Sequence, residues 1–190
     1  MKGFLPIDEP LQGYSSINEN SLTKLQELAT NLPKLLLTDR LETNITMMSD
    51  DDLCVDSLIQ NGSLEEIKLS MVQLSFIAHA YILGGSKPKN NLPRVIAKPW
   101  VSISRKLERP PVLSYASYCL DNWYLINSEE PINLNNVALI NNFLGGIDED
   151  WFVTIHVCIE DAARDAMEAS KLISLCTEES EESYIEELLN

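Results

Sequence analysis

The stretch Ser63–Gly85, SLEEIKLSMVQLSFIAHAYILGG, decides the fold class. Ser63 and Glu66 stand at capping-box spacing, where each side chain satisfies the other's backbone N–H at a helix start. Behind them Leu64, Ile67, Met71, Leu74, Ala78 and Ile82 recur at threes and fours, the period of a helix face. Gly84-Gly85 then closes the run, as glycine commonly does at a helix end.

The segments on either side read the same way. Met1 to Asn20 carries Pro6, Pro10 and Gly13 without periodicity and reads as an extended arm. Ser21 is placed to cap a helix through Leu22, Leu25 and Leu28 that stops near Pro33. Shorter helical pieces are predicted over Lys34–Thr43 and over Asp50–Gln60, the second capped by Asp50. After a loop from Ser86 to Asn91, Pro99, Pro110 and Pro111 divide the chain into short pieces, and Val112–Trp123 reads as a further helix. Ser128–Pro131 is a turn, and Leu134–Phe143 fits either helix or extended chain. Gly145-Gly146 is a break. Asp148–Leu175 reads as one long helix, acidic in its first turn as the helix dipole prefers, and Glu179–Leu189 as a last one. About six helices and no alternating strand make the fold class mainly α.

Two helices lack cover. Trp151, Phe152, Ile155, Val157, Ile159, Ala162 and Ala166 leave the long helix apolar almost all round, and Tyr184, Ile185, Leu188 and Leu189 form a stripe on the last. Such surfaces need neighbours. The expectation is a front part of a larger protein, or a chain that pairs with another.

Composition excludes several functions. The chain has 190 residues, 45% of them hydrophobic, and a formal net charge of -15 with only 14 Lys and Arg. That balance disfavours nucleic acid and anionic membrane surfaces, which both call for clustered cations. The acid is uneven: Asp50–Asp52 form one cluster and Glu178–Glu187 a longer run, read as a solvated helix face. Cys54, Cys119, Cys158 and Cys176 include no CxxC pair, and with two histidines a zinc site is not expected. Free thiols in a reducing compartment are the expectation. MKGFLPIDEP lacks a signal peptide's apolar core, and Met71–Leu83 is too short to span a membrane. A soluble, cytosolic protein follows. P-loop, dinucleotide-glycine, GxSxG and HExxH motifs are absent.

Few residues remain to carry chemistry. His156 lies in an apolar run four residues after Phe152, and an ionisable ring there needs a partner or a job. By itself such a histidine reads first as a hydrogen-bonded core residue, and Phe152 as packing. His79, between Ala78 and Ala80, reads as structural, bonded to a carbonyl of a neighbouring helix. Asp148, Glu149 and Asp150 are helix N-terminal charges rather than catalytic carboxylates. Arg105, Lys106 and Arg109 form a modest basic patch, read as solvated or internally paired.

Several blocks carry a resemblance. HAYILGG (His79–Gly85), LPRVIAKPW (Leu92–Trp100), LERPPVLSYASYCLDNW (Leu107–Trp123) and GGIDEDWFVTIHVCIEDAA (Gly145–Ala163), in this order, resemble the indoleamine 2,3-dioxygenase family. The likeness runs from Leu22 to Ser174. It implies an all-helical, monomeric, cytoplasmic haem b protein that inserts dioxygen across the indole C2–C3 bond of L-tryptophan to give N-formylkynurenine, at the head of the kynurenine pathway. It also implies an electron donor that keeps the iron ferrous. The implied organisation is an arm over 1–20, a small N-terminal helical domain over 21–126, and over 127–190 a linker with the first helices of a larger, incomplete haem domain.

The implied pocket residues are Tyr115, Tyr118, Cys119 and Phe152, with Phe152 packed on the indole. His156 departs from mammalian members, which place a serine there facing dioxygen. It resembles the distal histidine of tryptophan 2,3-dioxygenases, which holds the indole N–H. Members are about twice this length, and their proximal histidine, carboxylate-binding arginine and second pocket phenylalanine match nothing in the chain, so no iron ligand is assigned. The chain is therefore expected to carry the distal half of the site. An oxygen-binding relative and a non-catalytic remnant that associates with another chain are the alternatives.

Overall fold

In the computed structural model, which describes residues 4–6, 9–15 and 20–175, the capping box at Ser63 is complete. Glu66 N donates to Ser63 Oγ at 3.1 Å, and Ser63 N donates to Glu66 Oε2 at 3.0 Å. The helix they open, Leu64–Leu83, is the axis of the fold. It is the fifth of eight α-helices among the described residues: α1 Asn20–Thr30, α2 Leu32–Leu37, α3 Leu41–Thr46, α4 Asp56–Asn61, α5 Leu64–Leu83, α6 Arg94–Leu107, α7 Ile147–Ala162 and α8 Arg164–Leu175. A two-stranded ribbon, β1 Trp123–Leu125 and β2 Val137–Leu139, completes a mainly α architecture.

α5 is buried along nearly its whole length because α1, α2, α4 and α6 all pack on it. Met71, Val72, Leu74, Phe76 and Ile77 are fully enclosed, each worth about 1.5–3 kcal/mol of burial. Its polar positions are satisfied internally. Trp100 Nε1 donates to Ser75 Oγ at 3.0 Å, and Gln73 Nε2 donates to Gln26 Oε1 at 2.9 Å. The Tyr14 hydroxyl donates to Gln73 Oε1 at 2.7 Å and shares a hydrogen bond with Ser70 Oγ at 2.8 Å. The N-terminal arm is thereby strapped to α5, and burial pushes the Tyr14 phenol above its usual range. Gly84 ends α5 against Leu36 of α2, where any side chain would collide with the leucine methyl.

The boundaries differ from expectation in five places. Ser21 lies inside α1, which already begins at Asn20, so it is not the cap. Pro33 does not end a helix; it sits at the second position of α2, where its missing N–H is one no helix uses. Asp50 caps nothing. It pairs with Arg94 at 3.3 Å, residues 50–53 form turns, and α4 starts at Asp56. Pro99 lies in the middle of α6, which continues through it because Val95, Ile96, Trp100 and Ile103 bury a face on the core. At about 1.5–3 kcal/mol each, these four outweigh the roughly 3 kcal/mol proline penalty. Finally, Asp148–Leu175 is two helices, turning at Ala163.

The predicted helix Val112–Trp123 is the largest correction. Only Tyr115 to Leu120 coil, as a π-turn over Ala116–Leu120 in which Asp121 N donates to Ala116 O at 2.8 Å, five residues back. Asn122 explains why the chain then straightens. Its buried amide accepts from Asn141 N at 2.8 Å and donates to Asn141 O at 2.8 Å, imitating a strand partner. β1 follows at once and pairs antiparallel with β2, Trp123 opposite Leu139. The open reading of Leu134–Phe143 is thus settled as extended over Val137–Leu139. A second, smaller core forms here from Leu5, Cys119, Trp123, Val137, Val153 and Val157.

The predicted helix Glu179–Leu189, the acidic run Glu178–Glu187 and Cys176 lie outside the described residues. Cys54, Cys119 and Cys158 are free thiols. No described helix is long and apolar enough to cross a membrane.

Candidate functional site

α7 supplies the site's backbone. It starts after Gly145, whose φ of +68° suits a residue without Cβ, and the Glu149 carboxylate reaches back to accept from Phe143 N, Leu144 N and Gly145 N at 2.7, 2.9 and 3.3 Å. Glu149 is therefore a structural anchor. From this start, Val153 and Val157 point into the smaller core, while Phe152, His156 and Glu160 follow one another at intervals of one turn.

Phe152 and His156 touch, with ring centroids 4.5 Å apart. His156 Nδ1 lies within hydrogen-bond distance of the Phe152 carbonyl. A carbonyl can only accept, so Nδ1 carries the proton, and in the neutral ring Nε2 is left as an acceptor. The π-turn brings two more rings to α7. Tyr115 stands edge-on to His156 at 5.8 Å, and Tyr118 lies 5.9 Å from Phe152. Tyr118 continues inward to Phe143 at 6.3 Å and to Phe76 of α5 at 5.5 Å. A lane of rings thus runs from the main core to the α7 surface.

Cys119 stands apart from that lane. It is 0% exposed and packs with Trp123, Val137, Val153 and Val157, so it backs the wall rather than facing outward. Burial, then the nearby Glu160 charge, pushes its thiol up to about 11, and it stays protonated. Burial and the Glu149 charge push the Tyr118 phenol up to about 12. Ser117, also 0% exposed, is the one described buried side chain whose polar atom has no hydrogen-bond partner.

The outer side of α7 is uncovered. Ile147, Trp151, Phe152 and Ile159 are 81, 59, 50 and 54% exposed. Ile147, Asp148, Trp151, Phe152 and Ile155 line an open concavity of about 530 Å³; His156 touches Phe152 but does not line it. A second, mainly apolar concavity of about 490 Å³ lies between Leu36, Leu83, His79, Leu113, Phe143 and Leu144.

His79 bonds within its own helix, Nδ1 to Ser75 O at 2.9 Å, rather than to a neighbouring one, and meets Trp100 edge-on at 5.8 Å. Arg109 is internally paired, donating to the buried Asp121 carboxylate at 2.7 Å, while Arg105 and Lys106 are exposed. No group of three or more metal-ligating side chains occurs among the described residues. Phe76, Phe143 and Glu160 escaped the sequence reading. Only Glu160 left a signal, its position one turn after His156.

Comparison with known proteins gives this arrangement a context. The family model described as indoleamine 2,3-dioxygenase matches residues 1–190. The indoleamine 2,3-dioxygenase of Saccharomyces cerevisiae is 32% identical over 163 residues, covering 83% of this chain and 35% of the yeast protein. One from Penicillium citrinum is 34% identical, covering 71% and 30%. Indoleamine 2,3-dioxygenase 1 of Mus musculus is 30% identical, covering 86% and 39%. The chain thus spans about a third of the length of these relatives.

Proposed function

We propose a function from one premise: this chain belongs to the indoleamine 2,3-dioxygenase family. Its residues form the distal wall of a haem b pocket in which L-tryptophan is opened by dioxygen to N-formylkynurenine, in the cytoplasm. The proximal ligand comes from polypeptide other than residues 1–190, and an external donor keeps the iron ferrous. The division into a small helical domain over 21–126 and the start of the haem domain over 127–190 belongs to the same proposal. The larger hydrophobic cluster is built from buried residues of the first part, while the smaller cluster and the β1–β2 ribbon straddle the boundary.

The carrying observation is the tilted ring contact of Phe152 with His156 on a half-exposed apolar helix face. A flat macrocycle and an indole both need apolar walls with few, well-aimed polar groups. Trp151, Phe152 and Ile155 offer the wall, and His156, in contact with Phe152, stands beside it as the polar group. Haem, when bound, supplies the dioxygen chemistry.

The chain's own residues do the rest. With Nδ1–H spent on the Phe152 carbonyl, Nε2 of the neutral His156 ring is an acceptor, a form suited to holding the indole N–H rather than donating to dioxygen. Such a bond is worth on the order of 1 kcal/mol, and its larger value is orientation, since rate falls steeply with misplacement. Phe152 packs on the indole face. Tyr115 and Tyr118 bound the pocket, and Cys119 supports it from behind.

The test is haem loading and turnover by the polypeptide that joins residues 1–190 to its proximal half. A Soret band together with N-formylkynurenine from L-tryptophan supports the reading. Stable oxygenation without product would select an oxygen-binding relative, and absence of haem binding a non-catalytic remnant.

A further inference from the structure

We propose that Glu160 is a positioning residue, holding the Tyr115 hydroxyl so that the Tyr115 ring braces the His156 imidazole and fixes where Nε2 faces. The role deepens the proposed function and rests on it for its catalytic meaning.

The geometry has three parts. Phe152, His156 and Glu160 follow one another along α7 one turn apart, so carbonyl, imidazole and carboxylate climb one side of the helix. The Phe152 carbonyl holds Nδ1 of the imidazole, which sets its tautomer. Tyr115, from the π-turn far away in sequence, meets the same imidazole edge-on at 5.8 Å with an interplanar angle of 73°.

Tyr115 itself is 44% exposed, so packing alone does not fix its ring. What ties its end is Glu160, whose Oε1 accepts from the phenol at 2.8 Å. A bond of this kind to an ionised acceptor is among the stronger ones, and here it spans 45 positions of sequence to join the π-turn to α7. Burial first, then the Glu160 bond and charge, raise the phenol above its ordinary range, so the hydroxyl remains a donor. The imidazole is thus held at Nδ1 by its own helix and braced at the ring by a side chain that Glu160 anchors.

The chain has only two histidines, so their ring proton resonances are assigned with a single His79→Gln variant. NMR of the 190-residue chain then reads the brace through the ring-current shift of His156. Tyr115→Leu, which removes the aromatic ring, defines the unbraced position. Glu160→Ala should move the His156 resonances towards it. Glu160→Gln, whose amide oxygen still accepts, should keep them near the parent. Glu160→Ala combined with Tyr115→Leu should add nothing to Tyr115→Leu alone. Both sites are at least partly solvent-accessible, so these changes spare the core, and far-UV circular dichroism checks it. His156 resonances unmoved by Glu160→Ala, or shifts that add in the double variant, overturn the proposal.

In the haem-loaded, turnover-competent polypeptide, Glu160→Ala should lower kcat/KM for tryptophan about tenfold, with Glu160→Gln restoring most of it. A parent that does not turn over tryptophan would sink the proposed function, while the resonance shifts would still decide the positioning role.

Discussion

α5 and α7 carry the same device in opposite settings. Each is an apolar helix with one histidine whose Nδ1 bonds the carbonyl four residues back, at Ser75 or at Phe152. Around α5, four helices close, and His79 meets Trp100 edge-on while lining the concavity beside Leu83 and Phe143. Around α7, the ribbon, the π-turn, α8 and Leu5 of the arm pack, and among the described residues the side bearing Trp151 and Phe152 is exposed. The local sequence pattern therefore does not tell how much of a helix is covered. The number of neighbours decides that, and it is a tertiary property.

The contrast can be broken most forcefully in the core. Phe76→Ala should cost about 3–5 kcal/mol in urea unfolding, while Phe152→Ala should cost under about 1 kcal/mol because half its ring already meets solvent. Equal losses would mean α7 is covered in solution. Next comes turnover by the complete haem-loaded polypeptide. His156→Ala should lower kcat/KM by about tenfold to a hundredfold, for the lost acceptor and its orientation, with His79→Ala near the parent.

The helix starts provide a finer contrast. Ser63→Ala should destabilise by about 1 kcal/mol, since α5 depends on its capping box. At α7 the cap is Gly146, without a side-chain bond, and a Cβ there meets nothing within 4 Å. Gly146→Ser should therefore add a few tenths of a kcal/mol, read as a small rise in the denaturation midpoint.

The smallest effect is electrostatic. Lys24, by hydrogen bond and charge, holds the Asp52 carboxyl below its usual range, tying α1 to the turn before α4. A depressed carboxyl contributes stability above its unfolded pKa and loses it as pH falls through the folded value. Lys24→Ala should lower stability slightly at neutral pH and leave it nearly unchanged at the acid end, which flattens the acidic limb of the stability profile.

The long-period features were legible. The capping box, the run to Gly84-Gly85 and the pairing of Phe152 with His156 all follow from spacing within one helix. What escaped reading came from partners far away in sequence. Asn122 pulls its neighbours out of the expected helix because Asn141 offers a backbone to match. α6 runs through Pro99 because the face around it is buried. Glu160 acquires meaning only once Tyr115 is brought across to it.

Glu149 gathers three successive amides into one carboxylate, and the first belongs to Phe143. The Phe143 ring sits 4.7 Å from Phe76, so a single carboxylate fastens the opening turn of α7 to the molecule's interior. Its loss would release three amides at one stroke while leaving every rung of the helix in place.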